Sequence, residues 1–153
     1  MGWDESRDAE RIFRAALERF PEEGELHYSL GLLLAEEQRL DQAADSLAAA
    51  AQRMPERARV GYNHALALQQ LGRSGEAEVA LLRAAEAGPE DPEIAHAAAI
   101  FFSQQGEWAR AKPFAERLVA LVPEAPGPAA LLQRIEAELA RGGAPPDSRA
   151  SPQ

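Results

Sequence analysis

Apolar residues recur at helical spacing in two successive stretches between residues 24 and 57. A fully polar segment at residues 36–39 separates the two stretches, and Pro55 follows the second. The apolar positions are Leu26, Leu30, Leu33 and Leu34, and then Leu40, Ala43, Ala44, Leu47 and Ala51. Spacings of three and four residues are typical of amphipathic helices, and proline cannot continue a helix. This segment is therefore predicted to form two helices joined by a short turn.

The same pattern returns along the chain with a period of 34 residues. One proline column consists of Pro21, Pro55, Pro89 and Pro123, and one alanine column of Ala9, Ala43, Ala77 and Ala111. The chain has only eleven prolines, so three equal intervals between four of them are not expected by chance. A fixed period of this length indicates a helical repeat protein.

The period divides the chain into six segments. They are a partial repeat with a second helix only (1–21), three full repeats (24–57, 58–91 and 92–125), a C-terminal capping helix (126–141) and a tail (142–153). We expect the partial helix to span Arg7 to Phe20, the capping helix to span Pro128 to Arg141, and the tail to be disordered. Pro113 lies inside a predicted helix, where proline costs roughly 3 kcal/mol, so a kink or a late helix start is expected.

The residues within each period resemble the tetratricopeptide repeat, whose pattern is Trp-x2-Leu-Gly-x2-Tyr, then Ala-x3-Phe, then Pro. The first repeat matches it best, with His27, Leu30, Gly31, Leu34, Ala43, Leu47 and Pro55. The third repeat departs most, because Ala115 takes a position that normally holds a large residue. The resemblance covers roughly residues 5–125 and implies an all-α fold, a right-handed α-solenoid of antiparallel helix pairs.

In this family the first helix of each pair lines a concave groove, which implies where a partner would bind. The groove residues expected from this resemblance are Tyr28, Leu32, Arg59, Tyr62, Asn63, Leu66, Gln69, His96, Ile100 and Ser103. The rings of Tyr28, Tyr62 and His96 are 34 residues apart and would form a ladder suited to a polypeptide ligand. The alternative is that the ladder, and the parallel row of Leu32, Leu66 and Ile100, only pack neighbouring helices together.

One subgroup of the family binds acidic C-terminal tails of heat-shock chaperones through a clamp of Lys, Asn and Arg. Asn63 matches one clamp position. The other positions carry Tyr28, Leu32, Glu93 and Ala97. None of these four side chains can hold a carboxylate, so the resemblance does not favour a chaperone tail as the ligand.

Charge and composition exclude several kinds of partner. The formal net charge is −9, with 25 acidic and 16 basic side chains, so the surface repels phosphate backbones and nucleic acid is not expected to bind. No apolar run approaches the roughly 20 residues that a membrane span needs. Cysteine is absent, and the first residues do not resemble a secretory signal. This slightly favours the cytoplasm and leaves the periplasm open if the chain is part of a secreted protein.

The sequence lacks the usual marks of catalysis. The three histidines, His27, His64 and His96, have no metal-ligand spacing, and there is no phosphate-binding loop or nucleophile elbow. We therefore expect no enzyme activity, no cofactor and no metal. His64 is expected to be a half-buried structural residue and Trp108 a core residue.

Two functions remain after these exclusions. The first is a scaffold that binds a peptide or helix of a partner protein in its groove. The second is a self-associating module, or a terminal module of a larger protein, that makes contact through the helix of the partial repeat. The residues expected to carry this second role are Ile12, Phe13, Leu17 and Phe20.

Overall fold

The computed structural model describes residues 2–142, and describes side chains from residue 4 onward. Within this range the chain forms eight α-helices and no strand. They are α1 (Gly2–Arg19), α2 (Gly24–Glu36), α3 (Leu40–Arg53), α4 (Ala58–Gln70), α5 (Ser74–Ala87), α6 (Pro92–Gln104), α7 (Trp108–Leu121) and α8 (Pro126–Ala140). The tail expected to be disordered lies outside the described residues from residue 143 onward.

The described helices belong to two compact units, α1 to α5 and α6 to α8. In the first unit α2 packs against α3 and α4 against α5, while α1 contacts α2 and α3 contacts α4. In the second unit α7 packs between α6 and α8. Each helix thus packs against the next helix of its unit, as the two predicted helices per period require.

Leucine and alanine columns form the core of the first unit. Leu34, Leu47, Leu68 and Leu81 are each at most 1% exposed. Phe13 and Leu17 of α1 pack partly buried against the cluster that includes Leu34. In the second unit the fully buried large side chains are Phe102, Ile94 and Ile135. Burying apolar side chains of this size contributes about 1.5 to 3 kcal/mol each.

Close approach of α2 and α3 depends on the absence of a side chain at Gly31. A Cβ atom there would lie 2.7 Å from Cγ of Leu47 and 3.2 Å from its backbone nitrogen. The small residue of the repeat pattern therefore sets the distance between the two helices of a pair.

Three details differ from the sequence-based expectations. Helix α1 begins at Gly2 and not at Arg7, and α8 begins two residues earlier than expected, at Pro126. The prediction of a late start for α7 was wrong, since the helix begins at Trp108 and continues through Pro113. Trp108 is only 3% exposed, and its burial favours a helix that begins there despite the hydrogen bond that Pro113 removes.

Helix α6 has a side-chain cap at its N-terminus. Asp91 accepts hydrogen bonds at the start of α6 from the backbone nitrogens of Glu93 and Ile94, at 2.9 Å and 3.4 Å. Pro92 occupies the first helical position, where its missing N–H is not needed.

Candidate functional site

The surface formed by α2 and α4 in the first unit carries a polar cluster centred on Tyr28. The side-chain nitrogen of Asn63 on α4 donates a hydrogen bond of 2.8 Å to the hydroxyl oxygen of Tyr28 on α2. The Arg57 guanidinium carbon lies 5.5 Å from the centre of the Tyr28 ring, a cation–π distance. Arg57 also forms an ion pair with Glu25. Four side chains from two neighbouring first helices and the adjoining turn are therefore held together.

Tyr62 has a different environment from Tyr28, although the two are one period apart. Tyr62 is 7% exposed, and the guanidinium carbon of Arg59 lies 5.5 Å from the centre of its ring. Tyr28 is half-buried. Burial leaves Tyr62 little surface for a ligand. Its environment therefore favours the alternative that Tyr62 packs neighbouring helices together.

Apolar and amide side chains continue the same surface. Leu32 on α2 is 36% exposed, which is high for a large hydrophobic residue in this chain. On α4, Leu66 and Gln69 are half-buried. The α2–α4 surface thus combines a hydrogen-bonded tyrosine, an exposed leucine and a partly accessible amide.

The remaining expected groove residues belong to α6 in the second unit. His96 is exposed and Ile100 is half-buried. Ser103 is 8% exposed, and its hydroxyl oxygen is buried without a hydrogen-bond partner. Ser103 therefore faces the interior. The family resemblance had predicted that it would line the groove.

The four residues expected to mediate self-association, three on α1 and Phe20 directly after it, divide into two pairs. Ile12 is 61% exposed and Phe20 is 56% exposed. Phe13 and Leu17 are partly buried against the core of the first unit. Only Ile12 and Phe20 therefore offer substantial apolar surface.

A polar network joining α1 to the α2–α3 turn was not foreseen from the sequence. Arg39 donates hydrogen bonds to both carboxylate oxygens of Glu10, at 2.5 Å and 3.0 Å, and one of 3.0 Å to Glu37. Ser6 donates to Glu37, and Arg14 to Glu10. The hydrogen bond from Arg39, followed by that from Arg14, lowers the pKa of Glu10 to about 2. Twenty-nine residues separate Glu10 from Arg39, so no local pattern reveals this contact.

A second unforeseen feature is a cleft of about 940 Å³ between α3 and α5, with α4 beneath it. Small residues line much of it, among them Ala51, Gly61, Ala80 and Ala84, and the larger Met54 and Val79 border it. His64 of α4 also faces this cleft and is half-buried, as expected. Desolvation by its surroundings, and then the positive charge of Arg73, lower the pKa of His64.

The described residues contain no cluster of three or more histidine, cysteine, aspartate or glutamate side chains that could hold a metal ion. No described helix has the length and apolarity required to cross a membrane.

Solved structures with the same fold are numerous. A crystal structure of MamA superposes with a TM-score of 0.78 at 17% identity, covering 92% of this chain and 76% of that one. The first tetratricopeptide domain of Spaghetti (RPAP3), bound to the HSP90 peptide SRMEEVD, gives a TM-score of 0.64 at 19% identity, covering 76% and 95%. PilF of Pseudomonas aeruginosa gives 0.69 at 21% identity, covering 86% and 61%. These TM-scores show a shared fold. No curated protein sequence matches the chain significantly.

The sequence itself matches the family model described as tetratricopeptide repeat at residues 4–58 and 62–126. These ranges cover most of the chain, from the first turn of α1 to just beyond the end of α7, except residues 59–61. Proteins of this family typically mediate protein–protein interactions and are generally scaffolds without enzyme activity. The predicted fold class, an all-α solenoid of helix pairs, is confirmed, and the chain belongs to the tetratricopeptide repeat family.

Proposed function

We propose that this chain is a protein-interaction scaffold that binds a peptide or helix of a partner protein on the α2–α4 surface. The observation that carries the proposal is the hydrogen bond between Asn63 and Tyr28, which links the two first helices of the first unit. A side chain held in place before binding loses less conformational entropy when a ligand arrives.

The chemistry of this surface suits a polypeptide. Tyr28 combines a large ring with a hydroxyl group, and the Asn63 amide can both donate and accept hydrogen bonds. Leu32, 36% exposed, provides an apolar contact one helical turn from Tyr28. A peptide backbone needs hydrogen-bonding groups, and its side chains need apolar contacts, so this mixture matches its requirements.

An acidic chaperone tail is not the ligand that this surface favours. The related RPAP3 domain was solved with an HSP90 peptide, but it shares only 19% identity with this chain. In this chain Tyr28 and Leu32 occupy clamp positions that would need cationic or amide groups. Arg57, which lies over the Tyr28 ring, is already paired with Glu25. A peptide with a mixed polar and apolar sequence fits better.

The test selects peptides from a random 15-residue display library with the whole chain and measures their affinity for variants. The double variant Leu32→Ala/Asn63→Ala is preferable to truncating Tyr62, because Tyr62 is 7% exposed and its loss would disturb the core. We expect the double variant to bind the selected peptides at least tenfold more weakly, since it loses an apolar contact and a hydrogen-bonding amide at about 1 kcal/mol or more each.

The matched control is Val79→Ala/Gln133→Ala, which truncates one exposed valine and one exposed amide away from the surface. It should retain the affinity of the unmodified chain, and both double variants should keep the same helical circular dichroism. Equal binding of the selected peptides to Leu32→Ala/Asn63→Ala would show that the α2–α4 surface is not the binding site.

A further inference from the structure

The first unit carries an exposed apolar strip on α1. Ile12 of α1 is 61% exposed, and Phe20, which directly follows the helix, is 56% exposed; eight helical residues span about 12 Å. Arg19 lies between them in sequence, with its guanidinium carbon 5.8 Å from the centre of the Phe20 ring. Arg19 has no ion-pair partner in the described part of the chain. The strip therefore combines two apolar side chains with an unpaired cation.

The cleft between α3 and α5 is a concave surface that could receive the protruding side chains of the α1 strip. Its volume of about 940 Å³ lies in the range, roughly 300 to 1000 Å³, of pockets that enclose ligands with many heavy atoms. Its floor is made of small residues such as Ala51, Gly61 and Ala84, which leave room for large side chains from outside. Val79 at its edge is 49% exposed and supplies an apolar wall.

The charges around the cleft complement those of the α1 strip. Glu56, Glu76 and Glu86 border the cleft together with two exposed arginines, Arg57 and Arg83. Arg57 is already paired with Glu25. Glu76 is paired with Arg73, whereas the carboxylates of Glu56 and Glu86 have no ion-pair partner among residues 4–142. An arginine from a second molecule could therefore meet an unpaired carboxylate at the rim.

We propose that the α1 strip of one copy of this chain binds in the α3–α5 cleft of a second copy, with Ile12 and Phe20 entering the cleft and Arg19 at its acidic rim. The contact joins two different surfaces, so each copy keeps one free strip and one free cleft. Such a heterologous contact continues from copy to copy and builds either closed rings or open chains, in both cases larger than a dimer. It needs nothing from the α2–α4 surface and is independent of peptide binding there.

Two other ways in which two copies of the chain could associate are less favoured. A symmetric α1–α1 contact would leave the cleft unfilled. A contact between α1 and α8 of another copy would place Ile12 against a helix with exposed Gln133 and Glu136, whose polar side chains do not match an apolar strip. The experiment below separates these arrangements from the proposed one.

The experiment compares two single variants by sedimentation velocity over a range of protein concentrations. Ile12→Glu removes the apolar strip and leaves the cleft intact. Val79→Arg obstructs the cleft and leaves the strip intact. Both residues are largely exposed, so we expect both variants to fold, which circular dichroism and thermal unfolding check directly. The unmodified chain should form species larger than dimers as concentration rises, and each variant alone should remain monomeric.

An equimolar mixture of the two variants gives the decisive result. The intact strip of Val79→Arg can enter the intact cleft of Ile12→Glu, after which no complementary pair of surfaces remains. The mixture should therefore form a dimer and nothing larger, visible when one variant carries a fluorescent label. A mixture that stays monomeric, a Val79→Arg protein that assembles like the unmodified chain, or an unmodified chain that is strictly monomeric at millimolar concentration would each overturn the proposal.

Electrostatic complementarity adds a second readout. Arg19→Glu should weaken association roughly fivefold, and salt should weaken association of the unmodified chain, as expected for a partly exposed ion pair. The matched control is Arg134→Glu on α8, which makes the same charge change at an exposed position away from both surfaces. Equal effects of the two substitutions would mean that only net charge matters and would contradict a role for Arg19 at the rim.

Discussion

At the scale of single residues, glycine and alanine determine how closely the helices approach. Gly31 is buried where α2 meets α3, and a Cβ atom at that position would lie within 2.8 Å of two carbon atoms of Leu47. Leu47 is 1% exposed and cannot move outward without disturbing its neighbours. The conformational freedom of glycine is not the reason for its presence here, because residue 31 is helical; the reason is space.

We expect Gly31→Ala to lower the free energy of unfolding by about 1 to 3 kcal/mol through overpacking, even though alanine is the better helix former. Chemical denaturation measures this change. Gly75→Ala is the matched control, because Gly75 is also helical and a Cβ atom there meets nothing within 4 Å. The control should be stabilised by about 0.5 to 1 kcal/mol. Equal effects at both positions would argue against tight packing at Gly31.

At the scale of the helix pair, the turn between the two helices uses one residue in the left-handed backbone conformation. The residues with positive φ in the three turns are Gln38, Gly72 and Gly106, at 61°, 74° and 73°. They are one period apart, so each repeat makes its turn in the same way. The left-handed conformation costs a residue with a side chain roughly 1 to 2 kcal/mol, and glycine avoids that cost. The turn of the first repeat is therefore strained.

Replacing Gln38 by glycine should raise the free energy of unfolding by up to about 1 kcal/mol, since relief of strain exceeds the added flexibility of the unfolded chain. Thermal or denaturant unfolding would show the difference. The reciprocal substitution Gly72→Gln should destabilise the second repeat by a similar amount, because a Cβ atom at Gly72 meets no neighbour and only the backbone conformation is changed. Stabilisation by Gly72→Gln would refute the role of the left-handed turn.

At the scale of the whole chain, the last described helix resembles a first helix in position but not in composition. Gln133 and Glu136 of α8 stand three periods of 34 residues after Gly31 and Leu34 of the first repeat, in the same two columns. Both α8 residues are exposed, whereas Ile135 is buried towards the second unit. A repeat array needs a polar outer face at its end to stay in solution. Helix α8 has exposed polar residues in these columns, and we propose that they serve as such a face.

Restoring the repeat pattern with Gln133→Ala/Glu136→Leu should therefore make the chain aggregate or self-associate more readily, which light scattering at rising concentration would detect. Arg134→Leu adds an equally large apolar side chain at a neighbouring exposed position outside these columns. It should increase scattering less. If both variants scatter alike, general surface hydrophobicity explains the effect and the capping role of Gln133 and Glu136 is not supported.

The sequence by itself determined the helix pairs, their order and the family. These depend on local spacing, because residues three or four apart share a helix face. The prolines of the 34-residue column also mark where each second helix has ended. The N-terminal cap at Asp91 and the burial of Trp108 were predictable for the same local reason. The ends of α1 and the start of α7 were not, since burial of a neighbouring residue can outweigh a local helix-breaking signal.

Only the tertiary structure decided which surfaces the helices leave accessible. The 34-residue period puts Tyr28 and Tyr62 in equivalent positions, yet packing half-buries the first and leaves the second 7% exposed. The Asn63–Tyr28 hydrogen bond, the Glu10–Arg39 network and the α3–α5 cleft join residues from different helices. Their formation depends on the distances between helix axes. Side chains from several helices set these distances jointly, so no single stretch of sequence predicts them.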